Sequence, residues 1–336
     1  MHDLACVIHL HSTHSDGTGT VPEIAAAARA NALDVVLLTD HDTLQARRRG
    51  EEGWHDGVLV LVGEEVSPKS ENHFLAFGID EEIDHEGLDA AGILAAVRRA
   101  GGFGFAAHPF SEGSPRFERA RGMPFRALEE LDGLELWSFV TDSAEKIGSI
   151  RDGIRFVLRP DRWVDHPPER NMREWDRLCE RKAVVAIGGL DAHQIGKRIG
   201  GRVLKLMSYE RSFSFLRTHV LSREALTGEL EHDREQVYDA LRSGRCYLAM
   251  DRLAPAHGFT FEAEAGCMGE EIEAGWTELT ARTPRPCSMR LLCGGEEIAA
   301  VEGPRLAAEV EEPGVYRIEA RLEGRTWILS NPIYLR

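Results

Sequence analysis

The stretch HLHSTHSDG, residues 9–17, places His9, His11, His14 and Asp16 within eight positions. Imidazole nitrogens and carboxylate oxygens suit Zn, Mn or Fe, and the lack of cysteine nearby argues against a thiolate structural site. If His9-x-His11 lies on a strand, both rings project to one face, because the strand period is two. Two such rings can grip one ion. Asp191 and His193 in GGLDAH repeat that spacing. Further metal-capable groups are Asp40 and His41 in TDHD, Glu64 and Glu65 in GEEVS, His73 in NHFLAFGID and His108 in AHP. Carboxylates can bridge two ions about 3.5–4 Å apart, the spacing of two-metal hydrolytic sites. A lone histidine at a strand end is more often a hydrogen-bonded structural residue. Here the groups recur at successive strand ends, and packing them together without ions would be costly to desolvate. His2, His14, His55, His85, His166, His219, His232 and His257 read as structural or surface residues.

The elements that must position these groups alternate through the first 250 residues. ACVIHLH, DVVLLTDHD, VLVLVGEEVS, NHFLAFGI, FGFAAHP, LDGLELW and AVVAIGGLDAH read as strands. VPEIAAAARANAL, with Pro22 near its start, and LDAAGILAAVRRAGG, stopped by glycine, read as helices. This βαβα order predicts a parallel sheet or barrel. Each polar cluster sits where a strand runs out at its C-terminal end, the edge at which α/β folds build sites. Residues 138–175 read as a partly helical insertion. Beyond about residue 250 helical periodicity fades, and short segments separated by Gly, Pro and Glu predict a small antiparallel β domain. The expected division is 1–250 and 255–336, the second unit β-sandwich-like.

The chain has 336 residues and a formal net charge of −16. That acidity argues against general nucleic-acid binding. Six scattered cysteines with no CxxC pair read as reduced thiols. The first residues lack a basic region followed by a long apolar run, and no stretch approaches the roughly 18 apolar residues of a membrane helix. A cytoplasmic protein without membrane association is expected.

Taken in order, HLHSTHSDG, TDHD, GEEVS with NHFLAFGID, AHP and GGLDAH resemble the motifs of the PHP (polymerase and histidinol phosphatase) superfamily, over roughly residues 5–250. The resemblance implies a distorted (β/α)7 barrel with a trinuclear site of divalent transition metals, two or three ions of Mn, Fe or Zn. Carried over by motif, His9, His11, Glu65 and Asp191 would hold the first ion. Glu65 would bridge to a second held by His73 and His108, and Asp16, His41 and His193 would hold a third. Glu65 is chosen over Glu64 because the family motif reads Gly-x-Glu and Gly63 stands two before it. The tail, YDALRSGRCYLAMDRLAPAHGFTFEAE to WILSNPIYLR, resembles the branch with a C-terminal β domain that includes carbaryl-hydrolysing esterases.

The resemblance implies a metal-dependent phosphoesterase acting on a small phosphate ester or nucleotide, with phosphate as product or inhibitor. A water bridging two ions, held by Glu65 and Asp191, would supply hydroxide for in-line attack. Residues 196–223 hold seven Lys/Arg against one Glu, and Arg198 and Arg202 are the candidates to meet a phosphate. A metal-dependent carboxyl- or carbamoyl-ester hydrolase is the alternative. No G-x-S-x-G occurs, which removes a serine nucleophile of the elbow type. A binding module with a structural metal site is the non-enzymatic reading, and a complete open-faced ligand set argues against it.

Overall fold

The computed structural model describes all residues except 115, 116, 161, 162, 195, 200, 201 and 206, and the side chains of 117–120, 196–199 and 202–205 also lie outside the description. Strands Val35–His41 and Val58–Val66 are apolar runs buried along almost their whole length, as expected of parallel strands covered on both faces. Val35–His41 pairs in parallel with the first strand, His2–Ile8, on one side and with Val58–Val66 on the other.

Phe74–Phe77 then runs antiparallel to Val58–Val66 and to Phe103–Ala106. This corrects the expectation of a parallel sheet. Only residues 67–73 join Val58–Val66 to Phe74–Phe77, too few for a crossover, which takes a dozen or more. Phe103–Ala106 meets Gly133–Ser138 in parallel, and that strand pairs in parallel with Val185–Gly189. From there the chain returns to its start. Leu10 forms a parallel bridge with Ala192, Leu190 N donates to Ile8 O at 3.0 Å, and His11 N donates to Ala192 O at 3.0 Å. The fold is a mixed α/β architecture.

The helix Val21–Ala30 opens with a capping box. The Thr20 hydroxyl accepts from Glu23 N while the Glu23 carboxylate accepts from Thr20 N, each satisfying a donor that the helix start leaves free. Asp89 caps Ala90–Arg99 by accepting from Gly92 N. Residues 138–175 carry the helices Phe139–Glu145 and Ile150–Leu158 and the start of Glu169–Cys179.

The C-terminal strands are mostly antiparallel, with the long hairpin Thr277–Cys293 and Glu296–Val310 followed by Gly314–Leu322, Arg325–Ser330 and Ile333–Leu335; the exception is Glu271–Ile272, which pairs in parallel with Ile333–Leu335. They are bonded directly to the first part of the chain, since Arg325–Ser330 pairs with Cys246–Met250. Asn331 accepts from Ala186 N at 2.8 Å and donates to Ala186 O and Cys246 O at 2.9 Å. Arg317 grips Asp176 of the helix Glu169–Cys179 through two bonds of 2.6 and 2.8 Å.

A buried ionic network ties the first strand to these segments. His219 Nδ1 lies 2.8 Å from Asp3 Oδ1, and its Nε2 lies 3.3 Å from Asp251 Oδ2. Tyr247, stacked on His219, donates to Asp3 Oδ2 at 2.6 Å. Burial alone would depress the imidazole, but the bonds to Asp251 and Asp3 lift it to about 9. The folded state therefore binds this proton more tightly than the unfolded chain does. Its stabilisation is fully present below about pH 6.5 and is lost as pH rises through about 9. Denaturant titrations of the wild type and His219→Asn are expected to differ by on the order of 2–3 kcal/mol at pH 6 and to converge toward pH 10. A gap that widens with pH would show that the network does not work through the charged imidazole.

Candidate metal centre

The first strand ends at Ile8, and His9 follows with φ 64°. Val185–Gly189 likewise ends before Asp191, at φ 51°. The strand-alternation argument for His9-x-His11 and Asp191-x-His193 is thus corrected. Both pairs lie just past a strand end and are aimed by a left-handed backbone turn. His108 has the same feature, at φ 32°. Such conformations cost on the order of 1–3 kcal/mol each and persist only where the surroundings fix them.

Glu65 sits at the middle of the cluster, fully withdrawn from water. Its Oε2 lies 3.2 Å from His9 Nε2, His11 Nε2 and His41 Nδ1. Its Oε1 lies 2.8 Å from His73 Nδ1 and 3.5 Å from His108 Nε2. Asp191 Oδ1 stands 3.5 Å from both His9 Nε2 and His11 Nε2 and 3.6 Å from His193 Nδ1. Asp16 Oδ1 completes an outer group, 3.1 Å from His193 Nε2, 3.6 Å from His41 Nε2 and 4.0 Å from His11 Nδ1. The structure therefore brings His9, His11, Asp16, His41, Glu65, His73, His108, Asp191 and His193 together. Burial grades outward: His9 and His11 are inaccessible, His193 and His41 are about a quarter exposed, and the Asp16 side chain is 60% exposed. Solvent, and anything dissolved in it, reaches the cluster from the Asp16 side.

Several of these atoms lack hydrogen-bond partners although they are buried. They are His9 Nε2, both nitrogens of His11, Glu65 Oε2 and His108 Nδ1. Glu65 Oε2 is within ion-pair distance of imidazole nitrogens, yet not in hydrogen-bond orientation. A buried polar atom left unpaired costs about 1–3 kcal/mol. Of the orphaned atoms, His9 Nε2 and His11 Nε2 each stand 3.2 Å from Glu65 Oε2, and such a set, with no thiolate in it, fits a divalent transition ion. Among the described residues four sets offer donor atoms within 4.8 Å of one another, three of them in this cluster: His11, Asp16, His41 and His193; His9, Glu65 and His108; and His9, His11 and Asp191; the fourth, Asp3, His219 and His257, lies apart from it.

The electrostatics agree with that fit. Burial would raise Glu65, but the surrounding imidazoles, His9 foremost, hold it well below the usual carboxylate range. Burial would lower His9, but Glu135, Glu65 and Asp191 hold it well above the ordinary imidazole value. Against burial, the bond to Asp16 lifts His193 to about 9.

Gly63 explains part of the GEE motif, because a Cβ there would stand 2.3 Å from Ala76 O on the neighbouring strand. Glu64 faces away from Glu65, as alternation requires, and accepts from Ile83 N at 2.8 Å. Burial pushes it up to about 7. Asp40 shapes the loop after the first strand, accepting from Ser12 N and Oγ and from Ser15 Oγ at 2.6–2.7 Å. His14 pairs with Glu51 and His85 with Asp42, outside the cluster. Arg198 and Arg202 lie on the hairpin Gly196–Ile199 and Arg202–Lys205, with side chains outside the described set.

Three supporting residues escaped the sequence reading. Ser67 Oγ is 2.6 Å from His41 Nδ1, Thr141 donates to Asp191 Oδ2 at 2.7 Å, and Glu135 Oε1 is 2.9 Å from His9 Nδ1. Glu135 left a signal, as the one charged residue of the otherwise apolar strand GLELWS. Ser67 and Thr141 left none, since a hydroxyl in a loop or helix is unremarkable.

No family model and no curated protein matches the chain. Among solved structures it is similar to a two-domain protein from Bacteroides vulgatus containing a predicted PHP-like metal-dependent phosphoesterase. Identity is 16%, coverage is 98% of this chain and 95% of that one, and the TM-score is 0.48. It is also similar to a candidate metal-dependent phosphoesterase from Bifidobacterium adolescentis, at 22% identity over 60% of this chain and 92% of that one, TM-score 0.35. An amidohydrolase from Chromobacterium violaceum shows 18% identity over 56% and 87%, TM-score 0.30. The superfamily named for the first is the one the motifs resemble.

Protons that the ion-free cluster holds must leave when an ion takes their nitrogens. Mn²⁺ added to chelator-stripped protein at pH 7 is expected to release at least one proton, because the bond to Asp16 lifts His193 to about 9. Calorimetry in two buffers of different ionisation enthalpy measures this, and an identical heat in both would contradict it. At 100-fold excess over its dissociation constant the ion should also stabilise the fold by about 2.7 kcal/mol. Thermal melts of Glu65→Gln should show little of that gain.

Proposed function

We propose that this chain is a PHP-type metal-dependent hydrolase, and within that class a phosphoesterase acting on a small phosphate ester or nucleotide. The carrying observation is the buried Glu65 carboxylate within 3.5 Å of five imidazoles whose nitrogens are in part orphaned. The pairing of strands that leaves His2–Ile8 and returns to it through Leu10 and Ala192 supports a distorted (β/α)7 barrel. The mostly antiparallel strands after residue 250 support a β-sandwich-like second domain that is joined to the first by strand pairing.

In this reading His9, His11, Glu65 and Asp191 hold one divalent ion of Mn, Fe or Zn. His73 and His108 hold a second shared with Glu65, and Asp16, His41 and His193 hold a third. Such ions supply Lewis acidity and a water that loses its proton near neutral pH. The chain's own residues do the rest. Thr141 fixes Asp191 through Oδ2 and leaves Oδ1 facing His9 and His11. Ser67 holds His41. The buried inner group keeps bulk water away, which strengthens every charge interaction within it. The exposed rim of Asp16, His41 and His193 is where a substrate enters. Arg198 and Arg202, on the hairpin that follows His193, are assigned to the substrate phosphate.

Mn-loaded wild type should hydrolyse nitrophenyl phosphate, and Asp191→Ala should lose at least roughly 10²–10³-fold, the size seen when one electrostatic stabiliser is removed. Paired assays with nitrophenyl acetate and a nitrophenyl carbamate discriminate the alternative. Turnover of those esters alone, also lost in the variant, would replace the phosphoesterase by a carboxyl- or carbamoyl-ester hydrolase. Arg198→Ala with Arg202→Ala should raise KM for the phosphate substrate far more than for the acetate.

A further inference from the structure

We propose that Glu135 is a positioning residue that sets two of the ligand histidines at once. The inference rests on the metal-hydrolase reading above. Glu135 lies on the strand Gly133–Ser138 and is wholly buried. Its Oε1 is 2.9 Å from His9 Nδ1, and its Oε2 accepts the backbone N–H of His108 at 2.7 Å.

The first contact fixes a tautomer. An ionised carboxylate only accepts, so His9 must carry its proton on Nδ1. In the neutral imidazole that binds an ion, the lone pair is then on Nε2, the atom that faces Glu65 and Asp191 and has no hydrogen-bond partner. A carboxylate behind a ligating imidazole orients the ring and raises its basicity. The second contact acts on backbone. His108 is held at φ 32°, and a charge-assisted bond to its N–H helps offset that strain. His9 and His108 belong to different ions in the proposed ligand set, so one carboxylate serves both.

Gly189 makes room for this arrangement. A Cβ there would stand 1.8 Å from Glu135 Oε1 and 3.1 Å from His9 Cβ. An amide cannot replace the carboxylate. Glutamine has one acceptor oxygen, so its NH₂ must face either the His108 N–H or the His9 Nδ1. In the first case the His108 bond is lost. In the second, His9 moves its proton to Nε2 and ceases to be a ligand.

Calorimetric Mn²⁺ titration of the chelator-stripped, full-length protein tests this in wild type, Glu135→Gln and Gly189→Ala, with circular dichroism as the check on folding. Wild type should bind two or more ions. Both variants should keep the wild-type spectrum and bind the tightest ion about 10–100-fold more weakly. Wild-type affinity in Glu135→Gln overturns the proposal. Should the variants not fold, ring-nitrogen NMR of the zinc-loaded wild type, with His9 assigned through its backbone, reads the tautomer directly. Nδ1–H with a metal-bound, unprotonated Nε2 supports the proposal, and Nε2–H overturns it. A wild type that takes up no ion removes the metal-hydrolase reading and this proposal with it, an outcome distinct from wild-type affinity in the variant.

Discussion

The ionised carboxylate of Glu65, removed from water at the centre of the chain, is the constraint on which the rest of the structure turns. Taking a lone carboxylate out of water is costly unless charge and hydrogen-bonding partners replace the lost hydration. The partners here are imidazoles from widely separated parts of the sequence. His9 and His11 follow the first strand, His41 ends the second, His73 precedes Phe74–Phe77, and His108 follows Phe103–Ala106. They can surround one carboxylate only if the sheet curls back, which the Leu10–Ala192 bridge achieves. Curvature of the sheet and compensation of one charge are two sides of one requirement.

The cluster is finished by loops rather than by strands. Three of its residues, His9, His108 and Asp191, adopt left-handed backbone. None is a glycine, so each carries strain that its neighbours must hold. Asp40 fastens the Ser12–Ser15 turn, Glu135 fastens His108, and Thr141 fastens Asp191. Strain of this kind lets strand ends aim side chains in directions that regular pleating forbids.

The segments after residue 250 reach the centre indirectly. Asn331 is bonded on both sides of Ala186, on the strand that leads to Asp191. Arg317 holds the helix Glu169–Cys179, whose Asn171 donates to Leu136 O on the strand of Glu135. The tail motif WILSNPIYLR thus anchors the strand that leads to Asp191, through Asn331 and through the Tyr334 hydroxyl, which accepts from Val184 N at 3.2 Å, while Trp327 donates to Ala254 O.

The sequence by itself picked out the candidate metal-binding groups. Histidines and carboxylates recurring after apolar runs are readable because strand periodicity and residue type are local properties. Most helices and strands near the site were legible for the same reason; the choice of Glu65 over Glu64 came from the resemblance to a Gly-x-Glu motif, and the fold sets Glu65 among the imidazoles while Glu64 faces away. The tertiary structure decided what depends on neighbours remote in sequence. The antiparallel turn of Phe74–Phe77 followed from a connection too short to cross over. The left-handed turns at His9 and Asp191 replaced the alternation that their spacing suggested. Thr141 and Ser67 became significant only through contacts 50 and 26 residues away, and Glu135, marked in sequence only as a lone charge, found its role in a contact 126 residues away. A side chain that acts by holding another residue has no pattern of its own along the chain, because its partner is chosen by the fold.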